Sequence, residues 1–252
     1  MKEIKEFIEL LAKESGNIIK KYYRTNVSIE TKSDASPVTI ADKETEEKIR
    51  ELIMKHFPEH GILGEEFEEH NPNAEYKWII DPIDGTKSFI TGIPLFTTLI
   101  ALTYRNEPIW GAIHQPILNE LMIGNNQTTT FNGNIVKVRN LTNLEECTLL
   151  STDMNNFKIY HNIEKFLKLT EKVKIYRTWG DGYGYLLLSA GYADIMIDPI
   201  MNIWDVMAVI PVVRGAGGII TDYYGNIETN WENVIACNNK ELLHEILKIL
   251  HR

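Results

Sequence analysis

Apolar side chains recur at helical spacing in two N-terminal stretches. Ile4, Phe7, Ile8, Leu11, Ile18 and Ile19 do so within residues 3–23, and Ile49, Leu52, Ile53 and Phe57 within 42–57, which predicts two amphipathic helices. After Pro58 the pattern changes to short runs: GILGEEF, KWIIDPIDG, FTTLIALTY, PIWGAIHQPI and ELMIG. Their β-branched and aromatic content and their Gly, Pro and Asn boundaries predict strands, so the middle third should be mostly sheet. NNQTTTFNGN reads as a turn-rich segment. Beyond it, CTLLST, KVKIYRT, ADIMID, GIITD and NVIACN read as strands, and NIEKFLKL, GYGYLLLSAG, WDVMAVIPVVRGAG and ELLHEILKIL as helices. The alternation predicts a second, α/β half that begins near residue 140.

The chain has 252 residues, of which 44% are hydrophobic, enough for one large domain or two closely packed ones. Its formal charge is -9, and no window concentrates Lys and Arg, so a nucleic-acid backbone would be repelled. An anionic small molecule can still bind where metal ions or a few cations invert the local field. MKEIKEFIELLAKESGNIIK carries charges every few positions, which argues against a signal peptide, and no apolar run reaches membrane-spanning length. Cys147 and Cys237 lie far apart without CxxC spacing, as expected of buried thiols in a reducing compartment. The expectations are a cytoplasmic location, no membrane and no nucleic-acid partner.

Five acids stand where an apolar strand or a helix start would deliver them into the interior. They are Asp42 in SPVTIADKETE, Glu65 after GILG, Asp81 and Asp84 in WIIDPIDGT, and Asp205 in IWDVMAV. Singly, most have an ordinary reading: Asp42 and Asp205 suit the first turn of a helix, and Glu65 belongs to a run of acids that a solvated face would carry. The DPIDGT stretch has a more specific logic. Two carboxylates at i and i+3, with the Ile83 carbonyl between them, can turn oxygen ligands toward one point if Pro82 fixes one φ and Gly85 permits a sharp bend. Oxygen donors without histidine select magnesium, manganese or calcium over zinc or iron, and the spacing does not follow an EF-hand. GTKSFI then reads as the start of a short helix, whose Gly85 and Thr86 amides, Thr86 hydroxyl and Lys87 ammonium suit a phosphate.

These residues resemble those of the inositol monophosphatase superfamily of magnesium-dependent, lithium-sensitive phosphomonoesterases. The resemblance is carried by GEEF at 64–67, WIIDPIDGTKSF at 78–89 and IWDVMAVIPVVRGAGGIITD at 203–222, supported by SPVTIADKETE at 36–46, and so spans almost the whole chain. Within the superfamily the chain is most similar to bacterial histidinol-phosphate phosphatases, through SPVTIAD, Lys87, TGIPLFTTLIAL, HQPILNE and GDGYGYLLLSAGYAD. His114 departs from the Asp of the family's DQP-type segment. The resemblance implies an α+β fold, an αβαβα layered sandwich. Residues 1–140 would form an N-terminal half with a large antiparallel sheet and most metal ligands, and residues 141–252 a C-terminal α/β half with substrate-contacting residues.

The resemblance also assigns roles. Glu65, Asp81, the Ile83 carbonyl, Asp84 and Asp205 would hold two or three Mg2+ ions, with Mn2+ as a substitute. Gly85, Thr86 and Lys87 would bind phosphate, and Asp42 paired with Thr86, together with Glu65, would orient or deprotonate the attacking water. Asp181, Gly182, Asp198 and Asp205 would contact the alcohol part of the substrate, Lys32 would lie on a loop near the site, and the chain would form a homodimer.

Five converging carboxylates cannot share one site without cations, and a phosphate monoester adds about two more negative charges. The reading is therefore a hydrolase that uses metal-activated water and no covalent phosphoenzyme. Histidinol phosphate, cleaved to histidinol in histidine biosynthesis, is the expected substrate; inositol 1-phosphate or another sugar or nucleotide phosphate is the alternative. A two-carboxylate glycosidase would explain neither the additional acids nor the Gly-Thr turn. A non-catalytic metal-binding regulatory protein would have no use for Asp42 and Thr86. Tyr183 and Tyr185 read as helix packing, and the glycines of PVVRGAGG as close helix–strand contact.

Overall fold

The computed structural model describes residues 2–26, 29–31, 37–227 and 232–251, and Lys32 lies outside the described residues. Helix α1 (Lys2–Tyr22) leads to a short antiparallel ribbon, β1 (Ile29–Thr31) and β2 (Pro37–Thr39), and then to α2 (Ile40–His56). There follow β3 (Gly61–Gly64), β4 (Tyr76–Asp84), the short α3 (Thr86–Ile90), β5 (Thr97–Tyr104), β6 (Glu107–Gln115), β7 (Glu120–Gly124), β8 (Thr129–Phe131) and β9 (Asn134–Val136). Strands β3 to β9 form one seven-stranded sheet in sequence order. It is antiparallel apart from the parallel pair of β3 and β4.

The segment expected to be turn-rich is a hairpin of β8 and β9. Its tip is Asn132–Gly133, both at positive φ, as a two-residue turn between right-twisted strands requires.

The remainder runs β10 (Thr148–Ser151), α4 (Met154–Tyr160), α5 (Ile163–Thr170), β11 (Ile175–Arg177), α6 (Asp181–Ser189), β12 (Ile195–Asp198), α7 (Ile203–Gly215), β13 (Ile219–Thr221), β14 (Val234–Cys237) and α8 (Lys240–His251). Its five strands lie in the order β11-β10-β12-β14-β13. Strand β10 is parallel to β11 and β12, while β14 is antiparallel to β12 and β13.

Alternation along the strands sets the layers, because successive side chains point to opposite faces of a sheet. Trp78 and Ile80 of β4 meet Ile8 and Leu11 of α1 and Ile49 and Ile53 of α2. Ile79, with Leu99 and Ile113, faces the other way, onto α6 and α7, which also cover Leu150, Met196 and Val234 of the smaller sheet. The far side of that sheet, Leu149, Ile195 and Ile235, packs on Phe157, Phe166, Leu242 and Ile246 of α4, α5 and α8. Helices and sheets thus alternate as α, β, α, β, α.

Helix α7 is buried without a break from Val206 to Val213, as a helix apolar on all sides must be. It comes so close to the larger sheet that a Cβ on Gly111 would stand 1.9 Å from the Ala208 carbonyl oxygen. This position fixes where the N-terminal turn of α7, and with it Asp205, meets the end of β4.

Candidate active site

Strand β4 is in register with β5 up to Asp81, opposite Leu99, and again at Asp84, opposite Thr97. Three steps on one strand thus match two on the other, which is a β-bulge. In a regular strand, residues i and i+3 face opposite sides of the sheet; the extra residue brings Asp84 to the side of Asp81. Thr98 braces the bulge, its hydroxyl donating to the Pro82 carbonyl at 2.9 Å. One carboxylate oxygen from each of Asp81, Asp84 and Asp205 lies within 4.8 Å of the others.

Asp205 and Asp42 enter from helix N-termini. Each is the third residue of its helix and reaches back to the residue before the first turn: the Asn202 amide donates to Asp205 Oδ2 at 2.7 Å, and the Thr39 amide to Asp42 Oδ2 at 2.8 Å. The Thr39 hydroxyl adds a bond to the same Asp42 oxygen at 2.6 Å. Asp42 thus closes the start of α2 through Oδ2, while its Oδ1 is buried with no hydrogen-bond partner among the described residues. Glu65 follows the last residue of β3 and is half-buried.

The electrostatics follow from packing so many acids together. Asp81 is raised well above the usual carboxylate range by burial and then by the charges of Glu65, Asp84, Asp205 and Asp42. Burial, Asp181 and Asp205 likewise raise Asp84, against the Gly182 amide that donates to its Oδ2. Burial pushes Asp42 up to about 6 against its bonds from Thr39. Asp205 reaches about 6 by burial, held back by the Asn202 amide. A buried Asp81 Oδ1 also lacks a partner among the described residues. Hard oxygens that repel one another, two of them orphaned, are a donor set for a divalent cation. The residues fit the Mg2+ expected from sequence.

Beside them lies the turn that opens α3. Gly85 sits at φ 88°, a left-handed conformation in which a Cβ is disfavoured, and a Cβ there would also stand 2.8 Å from an Asp181 oxygen. The first amides bonded back to the Gly85 carbonyl are those of Ser88 and Phe89, so the Thr86 and Lys87 amides enter no helical bond. Lys87 is near enough to Asp181 to lower its pKa, although burial and then Asp198 and Asp205 still bring that carboxyl to about 7.

Gly182 lies so close to Asp84 that a Cβ would be 2.7 Å from its Oδ2. Asp198 ends β12 and is buried; it accepts the Tyr185 hydroxyl at 3.0 Å through Oδ2, while Oδ1 has no partner among the described residues. Burial raises it to about 6, offset by Thr152 and Tyr185.

The structure therefore gathers Asp42, Glu65, Asp81, Asp84, Gly85, Thr86, Lys87, Asp181, Gly182, Asp198 and Asp205 around the end of β4. One expectation changes. Thr86 and Asp42 are not joined: the Thr86 hydroxyl donates to the Ile83 carbonyl at 3.0 Å, and Thr39 holds Asp42. Local geometry explains this, since a threonine at the start of a turn finds the carbonyl three residues back within reach.

His114, which departs from the family's aspartate, lies on the opposite face of the sheet, where its ring packs against Gly16 of α1. Thr39, Thr97 and Thr152 also reach the site without having been expected there, as does Tyr185, expected only to pack a helix. Thr97 donates to Asp84 at 3.3 Å, and Thr152 accepts the Asp181 amide at 2.8 Å. Only the capping spacing of Thr39 to Asp42 was available as a signal.

The profile of the inositol monophosphatase family matches residues 1–252. The chain is 40% identical over 254 aligned residues to the bifunctional phosphatase IMPL2, chloroplastic, of Arabidopsis thaliana, covering 95% of this chain and 72% of that protein. It is 37% identical to the histidinol-phosphatase of Chlorobaculum parvum, over 91% of this chain and 90% of that one. Among solved structures, the inositol monophosphatase of Zymomonas mobilis superposes with a TM-score of 0.89 at 33% identity, covering 100% of this chain and 98% of the other. With a family match along its whole length, the chain belongs to the inositol monophosphatase family and is a phosphoric monoester hydrolase.

Proposed function

We propose that the enzyme hydrolyses histidinol phosphate to histidinol and inorganic phosphate with Mg2+ or, in its place, Mn2+. The observation that carries this reading is the carboxylate set of buried Asp81 and half-buried Asp84 and Asp205 beside the Gly85–Thr86 turn, with further carboxylates at Asp181 and Asp198. Glu65, Asp81, Asp84, Asp205 and the Ile83 carbonyl would hold the cations. Bound there, divalent ions lower the pKa of water, neutralise phosphate charge and stabilise the departing oxygen.

The chain's own residues supply the rest. The Gly85, Thr86 and Lys87 turn orients the phosphate. Asp42 uses its unpartnered Oδ1 to accept a proton from the attacking water, while Thr39 prevents the carboxylate from rotating. Water adds to phosphorus as the bond to the alcohol oxygen breaks, and that oxygen takes up a proton. Glu65 shares in orienting the water.

For the alcohol portion, Asp181 and Asp198 are the selective groups, with Gly182 giving close access and Asp205 bordering the same space. An ammonium gains a charge-assisted bond from such a carboxylate that a hydroxyl does not, worth roughly 1.5–3 kcal/mol. The relatives named histidinol-phosphatase favour this substrate. The alternative, an inositol phosphate, draws on the resemblance to the Zymomonas mobilis protein. As parts of the same reading, residues 1–140 supply most metal ligands and 141–252 the substrate contacts, and the enzyme is a lithium-inhibited homodimer of the cytoplasm.

The test is a comparison of kcat/KM. Histidinol phosphate should exceed inositol 1-phosphate by about tenfold or more, and Asp198→Asn should erode that ratio rather than scale both rates. Faster turnover of inositol 1-phosphate by the unaltered enzyme would refute the histidinol assignment.

A further inference from the structure

Glu46 lies one helical turn beyond Asp42 on α2 and is fully buried, although it comes from DKETEEK, a stretch that would suit a solvated helix face. Its carboxylate has a specific set of partners. Oε1 accepts Arg50 Nε at 2.7 Å, and Oε2 accepts the Glu66 amide at 2.8 Å; the Phe67 amide also bonds it. Arg50 in turn donates Nη2 to the Phe67 carbonyl at 3.0 Å and places its guanidinium 5.7 Å from the Phe67 ring centroid. On the other side, a Cβ on Gly64 would stand 2.0 Å from Glu46 Oε1, so the carboxylate occupies the space that a side chain at 64 would need.

Glu65 is therefore bracketed. The residue before it is packed against the Glu46 carboxylate, and the residue after it is hydrogen-bonded to it. We infer that Glu46, with Arg50 as its counterion, is a positioning residue that fixes the backbone on both sides of Glu65 and so aims the Glu65 carboxylate at the Asp42, Asp81 and Asp205 cluster. The inference rests on the proposal that Glu65 helps to hold the cation.

A buried ion pair alone is weak support for stability, because desolvation offsets its attraction. What an apolar pair could not do is accept backbone amides from the segment that carries Glu65. Outer partners of metal ligands commonly tune affinity by about 10- to 100-fold.

The full-length chain tests this with Mn2+ titrated directly by electron paramagnetic resonance, without substrate. In Glu46→Gln the new amide group must face either Arg50 or the Glu66 amide, donor against donor. In Gly64→Ala the added methyl displaces the Glu46 carboxylate while leaving its charge. Both should weaken Mn2+ binding by about tenfold or more and raise the Mg2+ concentration for half-maximal rate in proportion. The KM for the phosphate monoester at saturating Mg2+ should stay within about twofold, as for a group that does not touch substrate. In a Glu65→Gln background, Glu46→Gln should add less than about twofold, since the two act as one unit.

A Glu46→Gln protein with lowered Tm but unaltered Mn2+ affinity would overturn the inference, as would an equal effect with and without Glu65. If Glu65→Gln alone leaves Mn2+ affinity unchanged, the metal role of Glu65 fails first, and the two failures are distinguishable.

Discussion

Asp84 gathers neighbours from four elements: the Gly182 amide from α6, the Thr97 hydroxyl from β5, and the carboxylates of Asp81 from β4 and Asp205 from α7. Replacing it by asparagine keeps its shape and removes its charge. Asp84→Asn should therefore remain folded by circular dichroism while kcat falls roughly 100-fold or more, by comparison with other single electrostatic losses in active sites. EDTA should abolish activity of the unaltered enzyme. At this scale the acids were legible because strand-ending carboxylates are conspicuous in apolar runs. Thr97, Thr152 and Tyr185 were not, since a hydroxyl that meets a carboxylate only through tertiary packing leaves no local pattern. Tyr185 was read as helix packing; it is buried in the core and also steadies Asp198.

Two of the helices that begin at the site, α2 and α7, carry an aspartate at the third position that satisfies a backbone amide. Thr39 at the start of α2 does two things at once. It accepts the Ala41 amide at 3.1 Å and donates to Asp42. Thr39→Ala should cost about 1 kcal/mol of stability in urea unfolding, the usual loss for such a cap. It should also lower kcat more than KM, because Asp42 loses the hydroxyl bond and is held by the backbone amide of residue 39 alone.

Among elements, the long periodic helices and apolar strands were readable from spacing. The β8–β9 hairpin was hidden by polar residues, although its Asn132–Gly133 tip is a recognised hairpin signal. Helix α4 was missed as well, since MNNFKIY is one short stretch of weak helix formers set off by Asp153, which accepts the Asn155 amide at 2.9 Å. The parallel pairing of β3 with β4 depends on long-range registry that no local run encodes.

Across the molecule, the acids couple stability to pH. Asp42, Asp198 and Asp205 near 6, Asp181 near 7, and Asp81 and Asp84 well above their ordinary range all titrate higher in the folded protein than unfolded. A carboxyl raised by folding stabilises fully below its unfolded pKa, and that contribution is lost as pH rises through the folded value. Buried His114, lowered to about 4, acts in the opposite direction but only below its ordinary pKa near 6.5. Between about pH 6.5 and 8, the metal-free protein should therefore show a falling Tm in differential scanning calorimetry. Saturating Mg2+ should raise Tm and flatten the decline, as a ligand that binds only the folded state must. A flat or rising metal-free profile would contradict this account. The layered architecture was inferred from family likeness; the alternation of strands and helices alone indicated two halves but not their stacking.

Helix α7 lies between the two sheets, its carbonyls at Pro211 and Val212 also bonded from the β7–β8 side by Asn126 and Thr129. Its residues from Val206 to Val213 are all buried. Its backbone hydrogens can then meet water only when the sheets part, so isotope exchange there reports whole-molecule opening. In deuterium exchange followed by mass spectrometry, peptides spanning Val206–Val213 should be among the last to gain mass, after the β8–β9 hairpin and α4. Their rate should slow further on adding Mg2+, while that of the hairpin should not.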